Sequence, residues 1–411
     1  MRIAMIGQKG VPATYGGVER HVEEIAVRLV NDGHAVTVYT RPHYTGDRRT
    51  SARSLAPRIT YYKGIRLVCL PSIPTKHCDA ISHTAACTLH ALFDGADVVH
   101  YHAVGPSLFC WAPRLFGKRV VATIHGRDAL RPKWGGFAST CLRLGEWMAV
   151  NVPDATISVS ESLAATLSKK YGQSVTFVPN GVALVEGADD SVLDHIGVEP
   201  GKYILFASRL VPEKGCHYLI EAWDKAGRPL PLVMAGDSSF SPEYVEQIRS
   251  MQGGDGVIFP GFIYGEQLAS LFRNAGLFVL PSDLEGLPIV LLEALGYGAP
   301  VLASDIAPNA EVMGRYGRYF KAGDVEDLQC ALTTCLADHT SLQSQADSAA
   351  HVIGRDFNWD HVEDETCGIY CDLLGVPREE PACPKVQQPE TSERVTWVAR
   401  SGSRNKTINV G

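Results

Sequence analysis

The sequence predicts an α/β fold in which two doubly wound parallel sheets face each other across a cleft. Three observations predict it. Short, continuous apolar runs recur along the chain, as parallel strands covered on both faces require. Helical spacing of apolar residues falls between several of those runs. The alternation breaks off once near the middle and then restarts.

Each element follows in order. "RIAMI" is the opening strand, and "GQKGVPATYGGVERHV" (7–22) leaves it as a glycine-rich loop. Gly7, Gly10, Gly16 and Gly17 do not spell G-x-G-x-x-G, and no G-K-[ST] follows, so neither common dinucleotide or triphosphate fingerprint applies. Val18, Val22, Ile25, Ala26, Leu29 and Val30 predict a helix that Gly33 ends. "HAVTVYT", "RLVCL", "DVVHYH", "RVVATIH" and "ATISVS" read as further strands, with a helix over 161–170. At "FVPNGVALVEGADD", Pro179, Asn180, Gly181 and an acidic, irregular stretch read as a linker. The second unit then runs through "YILFAS", the loop "RLVPEKG", a helix over 216–225, "LPLVMAG", a helix over 243–251 and "GVIFPG". A helix over 265–274, "GLFVLPS", the helix "LPIVLLEALGYG", "PVLAS" and a helix over 324–338 follow. The predicted domains are 1–180, 181–355, a helical segment at 356–376 packing back on the first domain, and a disordered tail at 377–411, poor in large apolar residues.

Composition excludes several classes. The chain has 411 residues, 45% hydrophobic and 20% charged, as ordinary soluble proteins have. A net charge of -7 gives no global attraction to nucleic acid or anionic membrane, although peripheral membrane contact stays open. The longest apolar stretch is broken by Glu293, glycines and prolines, and the start has no long apolar region, so neither a spanning helix nor a signal peptide is read. The cysteine pairs Cys330/Cys335 and Cys367/Cys371 lack zinc-ligand spacing, so reduced thiols in a cytoplasmic protein are expected.

The most informative stretch is "SDLEGLPIVLLEALGYG". Glu285 falls in the loop before a helix, and Glu293 within it among Leu291, Leu292, Ala294 and Leu295. A carboxylate so placed is partly buried and needs donors, and sugar hydroxyls are suitable ones. The helix start near Gly286 and Leu287 offers free N–H groups and a positive dipole end to a phosphate. In "ASRLVPEKG", Arg209 and Lys214 share a loop leaving a parallel strand. Together they can grip a diphosphate and stabilise the charge it gains on departure.

"SRLVPEKG" followed by "PSDLEGLPIVLLEALGYGAPVLAS" closely resembles the retaining GT-B glycosyltransferases of glycosyltransferase family 4. "FVPNGV" and the "GFI" at 261–263 also look like that family. The resemblance covers roughly residues 1 to 375. It implies a nucleoside-diphosphate sugar donor: Glu285 on the sugar hydroxyls, Glu293 on the ribose, Arg209 and Lys214 on the diphosphate, and Gly261 with the backbone near Ile263 bordering the base. It also implies that the loop at Gly16 and Gly17 lies over the donor from across the cleft, where missing side chains permit close approach.

"TIHGRDALRPKWGG" places His125, Asp128 and Arg131 at a strand end facing the cleft. By resemblance His125 bonds the donor sugar, and Asp128 orients or deprotonates the acceptor hydroxyl. His100 and His102 read as structural groups, with His102 a weaker acceptor-site candidate. The "VPATYGG" and "HGRD…KWGG" segments look like a bacterial subgroup that builds surface polysaccharide and transfers rhamnose-like sugars. No strict D-x-D occurs at a plausible site, so no catalytic metal and no cofactor are expected. The expected partners are a nucleotide sugar and a glycan or lipid-linked acceptor. A sugar-nucleotide 2-epimerase, or a non-catalytic binding protein on the same fold, is the alternative.

Overall fold

The structure is a computed structural model describing residues 1–378, apart from 15, 43, 45–56, 74, 76–77, 128–135, 238–240 and 252–255. Its first half runs β1 (Arg2–Ile6), α1 (Gly17–Asn31), β2 (Ala35–Thr40), β3 (Arg58–Tyr62), β4 (Ile65–Cys69), α2 (Asp79–Phe93) and β5 (Val98–His102). It continues with α3 (Trp111–Leu115), β6 (Arg119–Ile124), α4 (Gly136–Asn151), β7 (Ala155–Ser158), α5 (Glu161–Tyr171) and β8 (Thr176–Phe177). These strands form one eight-stranded sheet, ordered β3-β4-β2-β1-β5-β6-β7-β8. Every pairing is parallel except the β3–β4 hairpin at the edge. β3 is largely exposed, with no apolar run, which is why the sequence pattern misses it.

The second half runs α6 (Ser191–Ile196), β9 (Ile204–Ala207), α7 (Cys216–Lys225), β10 (Leu232–Ala235), α8 (Pro242–Ser250), β11 (Val257–Gly261), α9 (Gly265–Arg273) and β12 (Leu277–Leu280). Then come α10 (Ile289–Gly296), β13 (Val301–Ser304), α11 (Ala307–Met313), β14 (Arg318–Phe320), α12 (Val325–Ala337), α13 (His339–Asp356) and α14 (Trp359–Leu374). Six parallel strands are ordered β11-β10-β9-β12-β13-β14. β9, β10, β12 and β13 are buried at every residue, the pattern expected of strands with helices on both faces.

Each sheet reverses strand order once, at β1/β5 in the first and β9/β12 in the second. The loops leaving those strands therefore part to opposite faces and open a crevice at the carboxyl ends. The chain passes between the halves twice, side by side: Val182 N–H donates to the Phe357 carbonyl at 2.7 Å. After the second crossing α14 packs on α1, and Trp359, Val362 and Tyr370 join the core around Ile3, Met5 and Val22.

Candidate active site

The second sheet's switch point carries the charged groups. The loop after β9 and the loop after β12 are stitched together: Asp283 N–H donates to the Glu213 carbonyl at 3.0 Å. Gly215, at φ 67°, leaves room for the Pro281 carbonyl, which a Cβ would meet at 2.0 Å. This brings Lys214 onto Glu285 in a buried ion pair. Ser282 Oγ donates to the same carboxylate oxygen at 2.7 Å, and Ser304 Oγ anchors Ser282 through its carbonyl at 2.6 Å. Arg209 shares the β9 loop and is partly exposed; among the described residues its guanidinium makes no ion pair.

The helix after this loop, read from Leu287 in the sequence, starts two residues later at Ile289. Pro288 is the extended N-cap of α10 rather than a residue of its first turn, so no side chain caps that end. The N-terminus of α1 also lacks a side-chain cap, because Gly16 occupies the position at φ 106°. The two helix starts converge, since a Cβ on Gly17 would lie 3.7 Å from Ile289 Cδ1. Two sets of orphan N–H groups and two positive dipole ends thus border the cleft.

The opening loop is set by acids of its own helix. Glu19 accepts from Lys9 N–H at 3.1 Å, and Glu23 from Ala13 N–H at 2.6 Å. Gln8 Nε2 bonds the carbonyls of Met5 and Tyr39, both at 3.0 Å. These amides are occupied, so the loop presents the start of α1 rather than its own backbone. Its glycine pressed closest against backbone is Gly7, where a Cβ would meet the His102 carbonyl at 2.2 Å.

Opposite the charged loops lies a buried histidine cluster. His125, at the end of β6, has Nε2 3.2 Å from His102 Nδ1. His100 Nδ1 meets Tyr370 Oη of α14 at 2.6 Å, and its Nε2 meets Thr123 Oγ1 at 2.7 Å. His21, on α1, has its ring centroid 4.7 Å from that of His125. Burial lowers the pKa of His21 to about 4 and of His100 to about 3, and holds His102 and His125 well below the usual value. All four rings are neutral at pH 7. His21, His102 and His125 place ring nitrogens within 4.8 Å of one another, a spacing a metal ion could bridge. No carboxylate or thiolate joins them among the described residues, and two of those rings already share a hydrogen bond.

The halves touch backbone to backbone beside this cluster. A Cβ on Gly286 would lie 1.9 Å from the His125 carbonyl oxygen. Asn180 links His21 to the Leu287 carbonyl, and Glu311 of α11 accepts from the N–H groups of Glu161 and Ser162 at the start of α5, at 2.9 and 3.0 Å.

Most sequence-derived candidates therefore meet. Gly16, Gly17, His125, Arg209, Lys214, Glu285, Gly286 and Leu287 border the cleft. Glu293 is partly buried on α10, where burial raises its pKa to about 7, with Arg20 pulling it down and Glu24 pushing it up. It makes no hydrogen bond among the described residues. Gly261, at φ 82° with open space beside it, ends β11, and Ile263 packs on the core while Phe262 and Tyr264 stack at 5.9 Å. Asp128 and Arg131 lie outside the described residues. Sequence reasoning missed His21 and Ser282. His21 was findable: it falls on the helical stripe of Ile25 and Leu29, where a polar side chain is out of place.

Two Rossmann-like sheets with a shared cleft, charge on one side and neutral imidazoles on the other, define a GT-B glycosyltransferase. The known proteins agree: residues 15–186 match the family described as "Glycosyltransferase Family 4" and residues 195–352 the one described as "Glycosyl transferases group 1". The chain is 27% identical over 400 residues to a glycogen synthase of Mycobacterium tuberculosis, covering 90% of this chain and 94% of that one. Among solved structures it resembles sucrose-phosphate synthase of Thermosynechococcus elongatus, with TM-score 0.77, 20% identity and coverage of 91% and 99%. It also resembles Anabaena HepE in complex with UDP and glucose, with TM-score 0.73, 19% identity and coverage of 91% and 100%.

Proposed function

We propose that the chain is a retaining, metal-independent glycosyltransferase. It moves a hexosyl or deoxyhexosyl group from a nucleoside-diphosphate sugar to a hydroxyl of a glycan or lipid-linked acceptor, in polysaccharide or cell-envelope glycan biosynthesis. One observation carries this reading: a buried Lys214–Glu285 pair, and Arg209 with no ion pair among the described residues, sit at a sheet switch point beside two uncapped helix starts. Fixed positive charge there stabilises a departing diphosphate without an ion. HepE's complex with UDP and glucose supports a nucleotide-sugar donor.

In the reaction the bond from the sugar's anomeric carbon to phosphate oxygen breaks, and a bond to the acceptor oxygen forms. The acceptor proton goes to the departing phosphate on the same face. Arg209 and the α10 N–H groups take the new negative charge, and Glu285, already holding Lys214, accepts from sugar hydroxyls. Glu293 accepts from the ribose. His125, neutral and braced by His102, bonds the donor sugar; Asp128 orients the acceptor hydroxyl. Gly261 and Ile263 border the base.

The test is release of nucleoside diphosphate across a panel of sugar nucleotides, with product anomeric configuration read by NMR. Inversion would overturn the retaining assignment, and a metal requirement in chelator-treated enzyme would overturn the metal-free one. The 2-epimerase alternative predicts an epimerised sugar nucleotide with no acceptor present. The transferase predicts none.

A further inference from the structure

The histidine cluster holds ring nitrogens that its own hydrogen bonds do not use. His21, on α1, donates from Nδ1 to Asn180 Oδ1 at 2.9 Å, because Asn180 turns its Nδ2 to the Leu287 carbonyl at 2.8 Å. The Nε2 of His21 is therefore a bare lone pair. His102 spends Nδ1 on His125, and its Nε2 is buried with no hydrogen-bond partner. A cluster closed by hydrogen bonding alone pairs its buried nitrogens, and one left over calls for an explanation such as an ion.

The spacing is that of a metal shell slightly opened. His102 Nδ1 and His125 Nε2 stand 3.2 Å apart. Two nitrogens on one tetrahedral zinc stand about 3.3 Å apart. One nitrogen of each of His21, His102 and His125 lies within 4.8 Å of the other two. Three points so placed share a centre no more than about 2.8 Å from each, against about 2.0–2.1 Å for a zinc–imidazole bond. A shift of about 0.7 Å per ring closes the set.

Residue type chooses the ion. Imidazole suits zinc, copper and nickel, and oxygen ligands suit magnesium and calcium. No carboxylate stands with these three rings among the described residues. The bond from His21 to Asn180 fixes tautomer and ring orientation, as a ligating histidine requires. His21 and His102 are buried while His125 is partly exposed, so the cleft is the way in.

We propose that His21, His102 and His125 bind one borderline transition-metal dication, such as zinc, through three ring nitrogens, with the fourth position turned to the cleft and filled by water or an anion. The proton shared by His102 and His125 moves to the other nitrogen of its own ring, so both rings stay neutral and no net proton is released. The ion is an inhibitor and takes no part in the metal-free transfer. His125 serves either the ion or the donor sugar, so the two exclude each other. That consequence, unlike the site itself, rests on the transferase reading above.

The test titrates the chelator-stripped full chain with Zn2+ by calorimetry. One ion per chain is expected, and none with Mg2+. His21→Ala and His102→Ala should each weaken zinc binding at least ~10-fold, and His361→Ala, on an exposed part of α14, should not. Zinc-edge X-ray absorption of the unmodified, loaded protein needs no variant to fold. It should show imidazole nitrogens at about 2.0–2.1 Å and no sulfur at about 2.3 Å. Absence of zinc uptake, a sulfur shell, or uptake unaltered in both histidine variants would overturn the site. At about ten times its dissociation constant, Zn2+ should raise the donor KM ~10-fold with kcat unchanged, reversed by chelator. Bound zinc with the donor KM unmoved would overturn the competition. Failure of the stripped protein to turn over any sugar nucleotide would remove the transferase reading and leave the ion site standing.

Discussion

Asn180 Nδ2 lies 2.8 Å from the carbonyl oxygen of Leu287, clipping the first crossing of the chain to the loop that carries Glu285. A carbonyl only accepts, so the amide NH2 faces Leu287 and Oδ1 faces His21 Nδ1 at 2.9 Å. His21 therefore carries its proton on Nδ1 and leaves Nε2 bare, consistent with a ring that burial keeps neutral. Three parts of the molecule, α1, the crossing and the α10 loop, meet in one side chain.

Asn180→Ala leaves a buried carbonyl and a buried imidazole N–H unpaired, a loss of ~1–3 kcal/mol. The donor KM should rise about tenfold, since 1.4 kcal/mol is a factor of ten. Asn180→Asp keeps the shape but puts a carboxylate against the Leu287 carbonyl and beside His21. It should raise the His21 pKa, read by NMR titration of the ring. An unmoved titration would show that the clip does not set this tautomer.

Gly286→Ala places a methyl group where only 1.9 Å separates it from the His125 carbonyl. Backbone cannot yield as a flexible side chain can, so the halves must part. Displacing catalytic groups by about 1 Å lowers turnover ~100-fold. The expected outcome is that loss with circular dichroism unchanged and a larger radius of gyration in solution scattering. Full activity would mean the contact is dispensable.

Lys214 and Glu285 brace each other, so each single truncation strands a buried charge. Lys214→Ala or Glu285→Ala should destabilise by ~3–5 kcal/mol and lower turnover at least ~100-fold. Lys214→Met/Glu285→Gln removes both charges. It should recover most of the stability in denaturant unfolding while activity stays low. Recovery of both would assign the pair to packing alone.

Glu293 has a folded pKa near 7 against 4.5 unperturbed, because burial disfavours its ionised form. The folded state thus holds a proton that the unfolded chain has lost between those values, and stability declines as pH rises through that window. Glu293→Gln removes the penalty. It should match the parent near pH ~4, below that window, and exceed it by on the order of 2 kcal/mol at pH ~8, allowing for partial exposure. Thermal unfolding at the two pH values checks this; a pH-independent difference would count against a raised pKa.

Much of this site was legible from the chain. Arg209, Lys214 and Glu285 were found because each sits in a short loop directly after an apolar strand, and parallel strands send such loops to one edge. Glu293 stood out as a carboxylate inside a run of leucines. The clip through Asn180 was not legible, since its partners His21 and Leu287 lie 159 and 107 residues away. Nor was the contact of His102 Nδ1 with His125 Nε2, 23 residues away, since the sequence offers His102 only as a structural group or a weaker acceptor-site candidate.

Local pattern alone determined the two sheets, the break between them and the strand ends that bear charge, because alternating burial is written residue by residue. Tertiary structure alone decided which of those loops meet. It chose Gly7 rather than the Gly16–Gly17 pair for the closest backbone contact within the first sheet, Gly286 for the contact between halves, and burial over solvation for the four histidines. Those outcomes depend on separations of a few ångströms between residues far apart in the chain, and no periodicity encodes them.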